Sequence, residues 1–283
     1  MSNDRKPRDE EIDVYGLTDQ GKVRKDNQDH FLIASVHRRL HVLQTSLTDP
    51  ARVPMADDRV AFLAMVADGV GGGVGGQEAS ATALETATEY IASSSKCFME
   101  GDAAGTEFIE TLQAAAHRSH EAVKARAMDI APGRSMATTL TMYMGVWPYY
   151  YLLQVGDSRY YLYRGGALTQ VSRDQTIAQD LVDQGVLTRA VAERSRFNDV
   201  LSSAIGADEA VPVVTRLKSE WGMVHLLCTD GLIKHVTDER IKEVLATMTS
   251  SRQACETLVA EALANGGSDN VTVIIGRTVT PRP

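Results

Sequence analysis

Cysteine is scarce in this chain. Three residues, Cys97, Cys228 and Cys255, are spread over 283 positions, and no two form a CxxC pair. This argues against a disulfide framework and predicts reduced core cysteines in an intracellular, cytoplasmic protein. Long apolar runs are also lacking. None approaches the roughly 18 residues of a membrane span. The opening MSNDRKPRDEE has no apolar signal-peptide core, so residues 1–11 read as a disordered tail, as do 279–283. A basic excess is absent: 29 Lys and Arg face 37 Asp and Glu, a formal charge of −8. That balance argues against bulk binding to nucleic acid or an anionic membrane. No repeat at solenoid spacing and no low-complexity linker divides the chain, so a single domain is expected over residues 12–278, acting as a monomer.

What is present is organised around Ala61–Gly76, AFLAMVADGVGGGVGG. An apolar run stops at Asp68, enters a glycine-rich turn, and gives way to a helical pattern from Gln77 to Ser94. Further helices are expected over 107–127, 174–184, 238–248 and 252–265. Strands are expected over 12–18, 30–36, 136–146, 149–155, 159–164, 167–171, 221–228 and 271–276. The Gly156-Asp157-Ser158 turn between two strand runs predicts a hairpin. A mixed connector at 37–59 exceeds usual loop lengths and reads as an elaboration, and residues 176–200 read as a polar flap bearing Arg189, Arg194 and Arg196.

One feature recurs along the chain. An apolar strand meets an Asp in a small-residue turn at Asp68-Gly69, Gly156-Asp157, Asp230-Gly231 and Ser268-Asp269. Strand ends gather at one edge of a sheet, so these carboxylates can converge. Carboxylates without compensating Lys or Arg repel in a dry site, and a divalent cation resolves that repulsion. Oxygen-only ligands suit magnesium or manganese rather than zinc. Any single Asp-Gly is also ordinary turn chemistry. The repetition of the pattern is what gives it weight. Gly71, Gly73 and Gly76 satisfy GxGxxG, but the preceding strand ends in an acid that would oppose a pyrophosphate. The later elements do not alternate as βαβ units, and no Lys-Ser/Thr follows to make a Walker loop.

Six segments together resemble a known family: TDQGKVRKDNQD (Thr18–Asp29), VADGVGGGVGGQEAS (Val66–Ser80), MATTL (Met136–Leu140), VGDSR (Val155–Arg159), LLCTDGL (Leu226–Leu232) and SDNVTVI (Ser268–Ile274). Their order and spacing are similar to those of the metal-dependent protein phosphatases of the 2C type, most closely the bacterial serine/threonine branch. The resemblance implies an α+β, αββα four-layer sandwich, two antiparallel sheets flanked by helices. It implies hydrolysis of phosphoserine and phosphothreonine by a metal-bridging hydroxide, without a covalent phosphoenzyme. Manganese or magnesium is the implied cofactor, two ions in the core and a weaker third. Phosphoproteins are the implied substrates, with a cognate Ser/Thr kinase or its targets as partner. By the same resemblance Asp68 bridges the two ions and Gly69 offers its carbonyl. Asp230 and Asp269 complete the first site, and Asp157 shares the third ion with Asp230. Asp29 orients a metal-bound water and Arg24 holds the phosphate. Three departures from the family pattern stand out. Gln28 replaces a Glu that reaches the second ion through water. Gly73 and Val70 stand where relatives carry histidines, and Gln175 replaces another His near the flap. The alternative is a catalytically weak or inactive pseudophosphatase that binds phosphoproteins or partners.

Overall fold

The computed structural model describes residues 5–38, 58–70, 74–94, 105–130, 135–192 and 194–279. Most of the connector expected at 37–59 and the glycines Gly71 and Gly73 lie outside the described residues. The elements run β1 (Ile12–Asp19), β2 (Asp29–Arg38), β3 (Asp58–Val70), α1 (Val74–Ser93), α2 (Thr106–Ile130), β4 (Ala137–Thr138), β5 (Leu140–Val146), β6 (Tyr149–Val155), β7 (Arg159–Arg164) and β8 (Ala167–Gln170). They continue with α3 (Ile177–Asp183), α4 (Arg189–Ala192), β9 (Val213–Lys218), β10 (Val224–Cys228), α5 (Asp230–Ile233), α6 (Asp238–Thr247), α7 (Ser251–Ala264) and β11 (Val271–Thr278).

The strands form two sheets, ordered β1-β11-β10-β7-β8 and β2-β3-β5-β6-β9, with β4 pairing β3. Neighbouring strands are antiparallel. Strand periodicity explains the layering. Along β3, Leu63, Met65 and Ala67 pack with α1 and α2, including Leu84, Ile91 and Leu112. The alternate residues Ala64 and Val66 face the second sheet, against Tyr160, Leu227 and Ile274. A third cluster joins Leu226, Cys228 and Val273 to Ile241, Leu245, Leu258 and Val259 of α6 and α7. Helices, sheet, sheet and helices therefore stack with an apolar seam at each of three contacts, the four-layer sandwich expected. Met65 is wholly buried, and a side chain of that kind contributes about 1.5–3 kcal/mol relative to exposure. The thiols of Cys228 and Cys255 are free and buried in this core.

Four sequence expectations need correction. The Gly156-Asp157-Ser158 turn is not a hairpin: β6 belongs to one sheet and β7 to the other, so the chain crosses the sandwich there. Tyr150 and Tyr160, on either side of it, both enter the inter-sheet seam. Strand β9 was not foreseen, because four of its six residues are half-buried on an edge strand and the two others exposed, so VVTRLK lacks clear alternation. Asp230 opens a four-residue helix rather than a turn. Residues 5–11 of the expected disordered tail pack against the domain. Glu11 is buried and ion-paired to Arg5, Arg59 bonds Asp9 Oδ1 at 2.6 Å and the Pro7 carbonyl, and the Trp221 indole donates to the Arg5 carbonyl at 3.0 Å. Charge pairing, invisible in local composition, orders this segment.

Candidate metal centre

The strand-end acids converge at one end of the inter-sheet seam. β3 delivers Asp68 with the same parity as Ala64 and Val66, and β2 places Asp29 directly opposite it in the ladder. Asp157 stands in the crossover after β6, Asp230 follows β10, and Asp269 precedes β11. Arg24, Gln28, Asp68, Gly69, Asp157, Asp230 and Asp269 all line one cleft of about 520 Å³. Asp29 lies just beneath, 3% exposed. The structure thus brings together every site residue expected from the sequence.

Backbone packing holds the acids in place. A Cβ on Gly69 would meet the Gly76 carbonyl oxygen at 2.2 Å and that of Gln28 at 2.8 Å, so only glycine lets β3 pass so close to α1 and the β2 entrance. Gly21, at φ +78°, lets the β1–β2 loop approach the Asp269 carbonyl. Asn270 fastens that loop: its Oδ1 accepts from Gln28 N, and its Nδ2 donates to the Gln20 and Asp26 carbonyls.

A run of hydroxyls supports the acids, and sequence reasoning missed it. Asp68 N donates to Thr139 Oγ1 at 2.9 Å, while Thr138 Oγ1 and Thr139 N both donate to the Asp68 carbonyl. Thr139 Oγ1 continues to Ser158 Oγ at 2.8 Å, tying Asp68 to the Asp157 turn. Thr229, just past β10, and Thr272 of β11 donate to Asp29 Oδ2 at 2.8 and 2.7 Å. Gln175, which stands where an imidazole was expected, has a framework role. Its Oε1 accepts from Gly156 N and its Nε2 donates to the Val211 carbonyl, so it clamps the crossover to the base of the flap. Ser158 and Thr229 stand next to strand-end acids in sequence, Asp157 and Asp230, whereas Thr138, Thr139 and Thr272 reach their acids only through the fold.

Electrostatically the cleft is under tension. Burial, then the neighbouring acids, drives the Asp68 carboxyl well above the usual carboxylate range. Burial raises Asp29 against its two hydroxyl donors, and burial followed by Asp230 raises Asp157. Asp230 is raised mainly by burial, opposed by Lys234. Asp269 is the exception: burial would raise it, but Arg24 and Lys234 together hold it below the usual value. Arg24 engages it in a fork, Nε to Oδ1 at 2.6 Å and an Nη to Oδ2 at 2.8 Å. Charged residues absent from the expected site also line the cleft: Lys25 and Asp26 from the β1–β2 loop, Asp199 from the flap, and Lys234.

An oxygen-coordinated dication fits these donors. Asp29 Oδ1 and Asp230 Oδ1 are buried without a hydrogen-bond partner among the described residues, and opposed acids in a ladder repel unless a cation intervenes. Among the described residues, no three acids are already drawn around one point. The ammonium of Lys234 stands between Asp230 and Asp269 instead.

Comparison with known proteins agrees with this arrangement. The family model for protein phosphatase 2C matches residues 49–265, and the chain belongs to that family. The serine/threonine protein phosphatase PstP of Mycobacterium tuberculosis is 33% identical over 220 residues, covering 77% of this chain and 41% of PstP. The chain thus spans about two fifths of the length of that relative. The crystal structure of the M. tuberculosis phosphatase PstP/Ppp superposes with a TM-score of 0.75 at 28% identity, covering 95% of this chain and 99% of the other. The PstP catalytic domain in complex with two manganese ions gives a TM-score of 0.72 at 29% identity, covering 95% and 99%.

Proposed function

We propose that the chain is a metal-dependent protein serine/threonine phosphatase that removes phosphate from phosphoserine and phosphothreonine. The observation that carries this reading is the convergence of five aspartates from both sheets on one cleft, with Arg24 at its rim. Asp68 and the Gly69 carbonyl, with Asp230 and Asp269, would hold the core pair of manganese or magnesium ions, and Asp157 lies beside them. When bound, such a pair supplies Lewis acidity and an activated water for in-line attack on phosphorus. Asp29, fixed by Thr229 and Thr272, would accept a hydrogen bond from that water and so orient it. Arg24, released from Asp269 once that carboxylate is engaged elsewhere, grips two phosphoryl oxygens and stabilises charge in the transition state. No described histidine lines the cleft, so proton delivery to the leaving oxygen falls to water. The alternative of a non-catalytic binding module rests on Gln28 and the long connector 36–59, and Gln28 still lines the cleft with the acids.

Similarity to PstP, a serine/threonine protein phosphatase, supports phosphoproteins as substrates, and the role we propose is opposite a cognate Ser/Thr kinase, acting on its targets. The described residues contain no helix long and apolar enough to cross a membrane. The test is turnover of a phosphothreonine peptide and of p-nitrophenyl phosphate with manganese. Asp68→Asn, Asp230→Asn and chelation should each abolish it, and activity retained in both variants would refute the assignment.

A further inference from the structure

Lys234 lines the cleft and is ion-paired to two of its acids, yet the proposed reaction does not use it. It follows the short helix α5, and its own N–H donates to the Asp230 carbonyl at 3.0 Å. The i,i+4 spacing then lays its side chain back over the acid. Its Nζ lies 2.6 Å from Asp230 Oδ2 and 2.8 Å from Asp269 Oδ2. Its charge also reaches Asp157, where it works against burial. About a third of the side chain is exposed, so the stem has room to swing while the backbone stays anchored.

We infer that Lys234 is a tethered counter-cation that takes the place of a third divalent ion between Asp230 and Asp157, making this a two-ion centre. The inference rests on the proposed metal-dependent reading. Charge supports it: the five acids gathered at the strand ends, Asp29, Asp68, Asp157, Asp230 and Asp269, are matched by two dications and one ammonium, which leaves Arg24 for the incoming phosphate. A third dication would have to share Asp230 with an ammonium already tethered to it. Tethering supports it as well. An ammonium fixed four residues from Asp230 is present at high effective concentration and outcompetes a weakly held ion. The two core ions bind more strongly, through several carboxylates at once, and displace it toward Asp157. The site thereby exchanges a diffusible cofactor for a side chain.

The experiment is manganese binding to the whole chain, followed by calorimetry and by counting free ion by electron paramagnetic resonance. Wild type should take up two ions per chain. Lys234→Met keeps length and removes charge, and should bind a third ion at least tenfold more tightly than wild type does. Lys234→Arg should restore the wild-type count, and Lys234→Gln should repeat the Met result if the Met variant folds poorly. A third ion bound equally by wild type and by the uncharged variants overturns the inference. Loss of the two core ions from wild type would instead overturn the phosphatase reading.

Discussion

Thr272→Val tests the support of Asp29 without touching the acids themselves, with Thr18→Val as the control for the Thr272 Oγ1 to Thr18 Oγ1 contact at 2.8 Å that is lost with it. Thr272 is wholly buried and donates to Asp29 Oδ2 at 2.7 Å. Val matches its shape, so the seam stays filled while one of the two donors to that oxygen disappears. The Thr272 backbone N–H still donates to Thr229 Oγ1, which keeps the second donor aimed. A hydrogen bond to a charged group contributes about 1.5–3 kcal/mol, and each 1.36 kcal/mol is tenfold in rate. The expected loss in kcat/KM on p-nitrophenyl phosphate is therefore roughly 10- to 100-fold. The direction in pH follows from the same bond. The donor stabilises the ionised carboxylate, so its removal moves the already raised Asp29 value further up, and the acid limb of the rate profile shifts to higher pH. Core manganese affinity should change much less, because Asp29 is not among the expected direct ligands. Activity within twofold of wild type, with an unmoved acid limb, would refute the placement of Asp29 in the reaction.

Two other outcomes follow from packing. Gly69→Ala drives a methyl into the Gly76 and Gln28 carbonyls, and backbone overpacking of this kind costs about 1–3 kcal/mol. It should lower the denaturation midpoint and the manganese affinity together, and a normal midpoint would show that β3 tolerates a side chain there. Burial holds the His225 imidazole down to about 4, beside Tyr160 Oη at 2.6 Å. Its folded value lies below the unfolded one of 6.5, so the stability it contributes is present above pH 6.5 and is lost as pH falls toward 4. The loss is at most about 3 kcal/mol. His225→Phe should flatten the acid side of a stability profile measured by urea unfolding, and an unchanged slope would refute the assignment.

The cleft was legible because its acids sit at strand ends, where an apolar run stops at a polar residue. Asp68, Asp157, Asp230 and Asp269 could be found that way one by one. What joined them could not. The crossover after β6 looked like a hairpin, since a Gly-Asp-Ser turn between two strands carries no mark of which sheet receives the second. Lys234 sits in a segment whose helical pairing to Asp230 appears only once α5 is seen. The N-terminal segment was misread because its order comes from Arg59 and Trp221, far away in sequence. Thr138, Thr139 and Thr272 lay inside the quoted motifs, but nothing local says that a β-branched hydroxyl faces an acid rather than a core methyl.

The crossover has a mechanical consequence. Asp29 and Asp68 come from one sheet, Asp230 follows and Asp269 precedes strands of the other, and Asp157 sits on the link between the sheets. Any ion shared by Asp68 and Asp230 is bonded to both sheets and rivets that end of the sandwich. The opposite end is laced by residues 5–11 through Arg59 and Trp221. Loading and unloading the cleft would then stiffen and relax the seam between the sheets from one end only. Proteolysis or hydrogen exchange along β2 and β10 would report occupancy without any substrate.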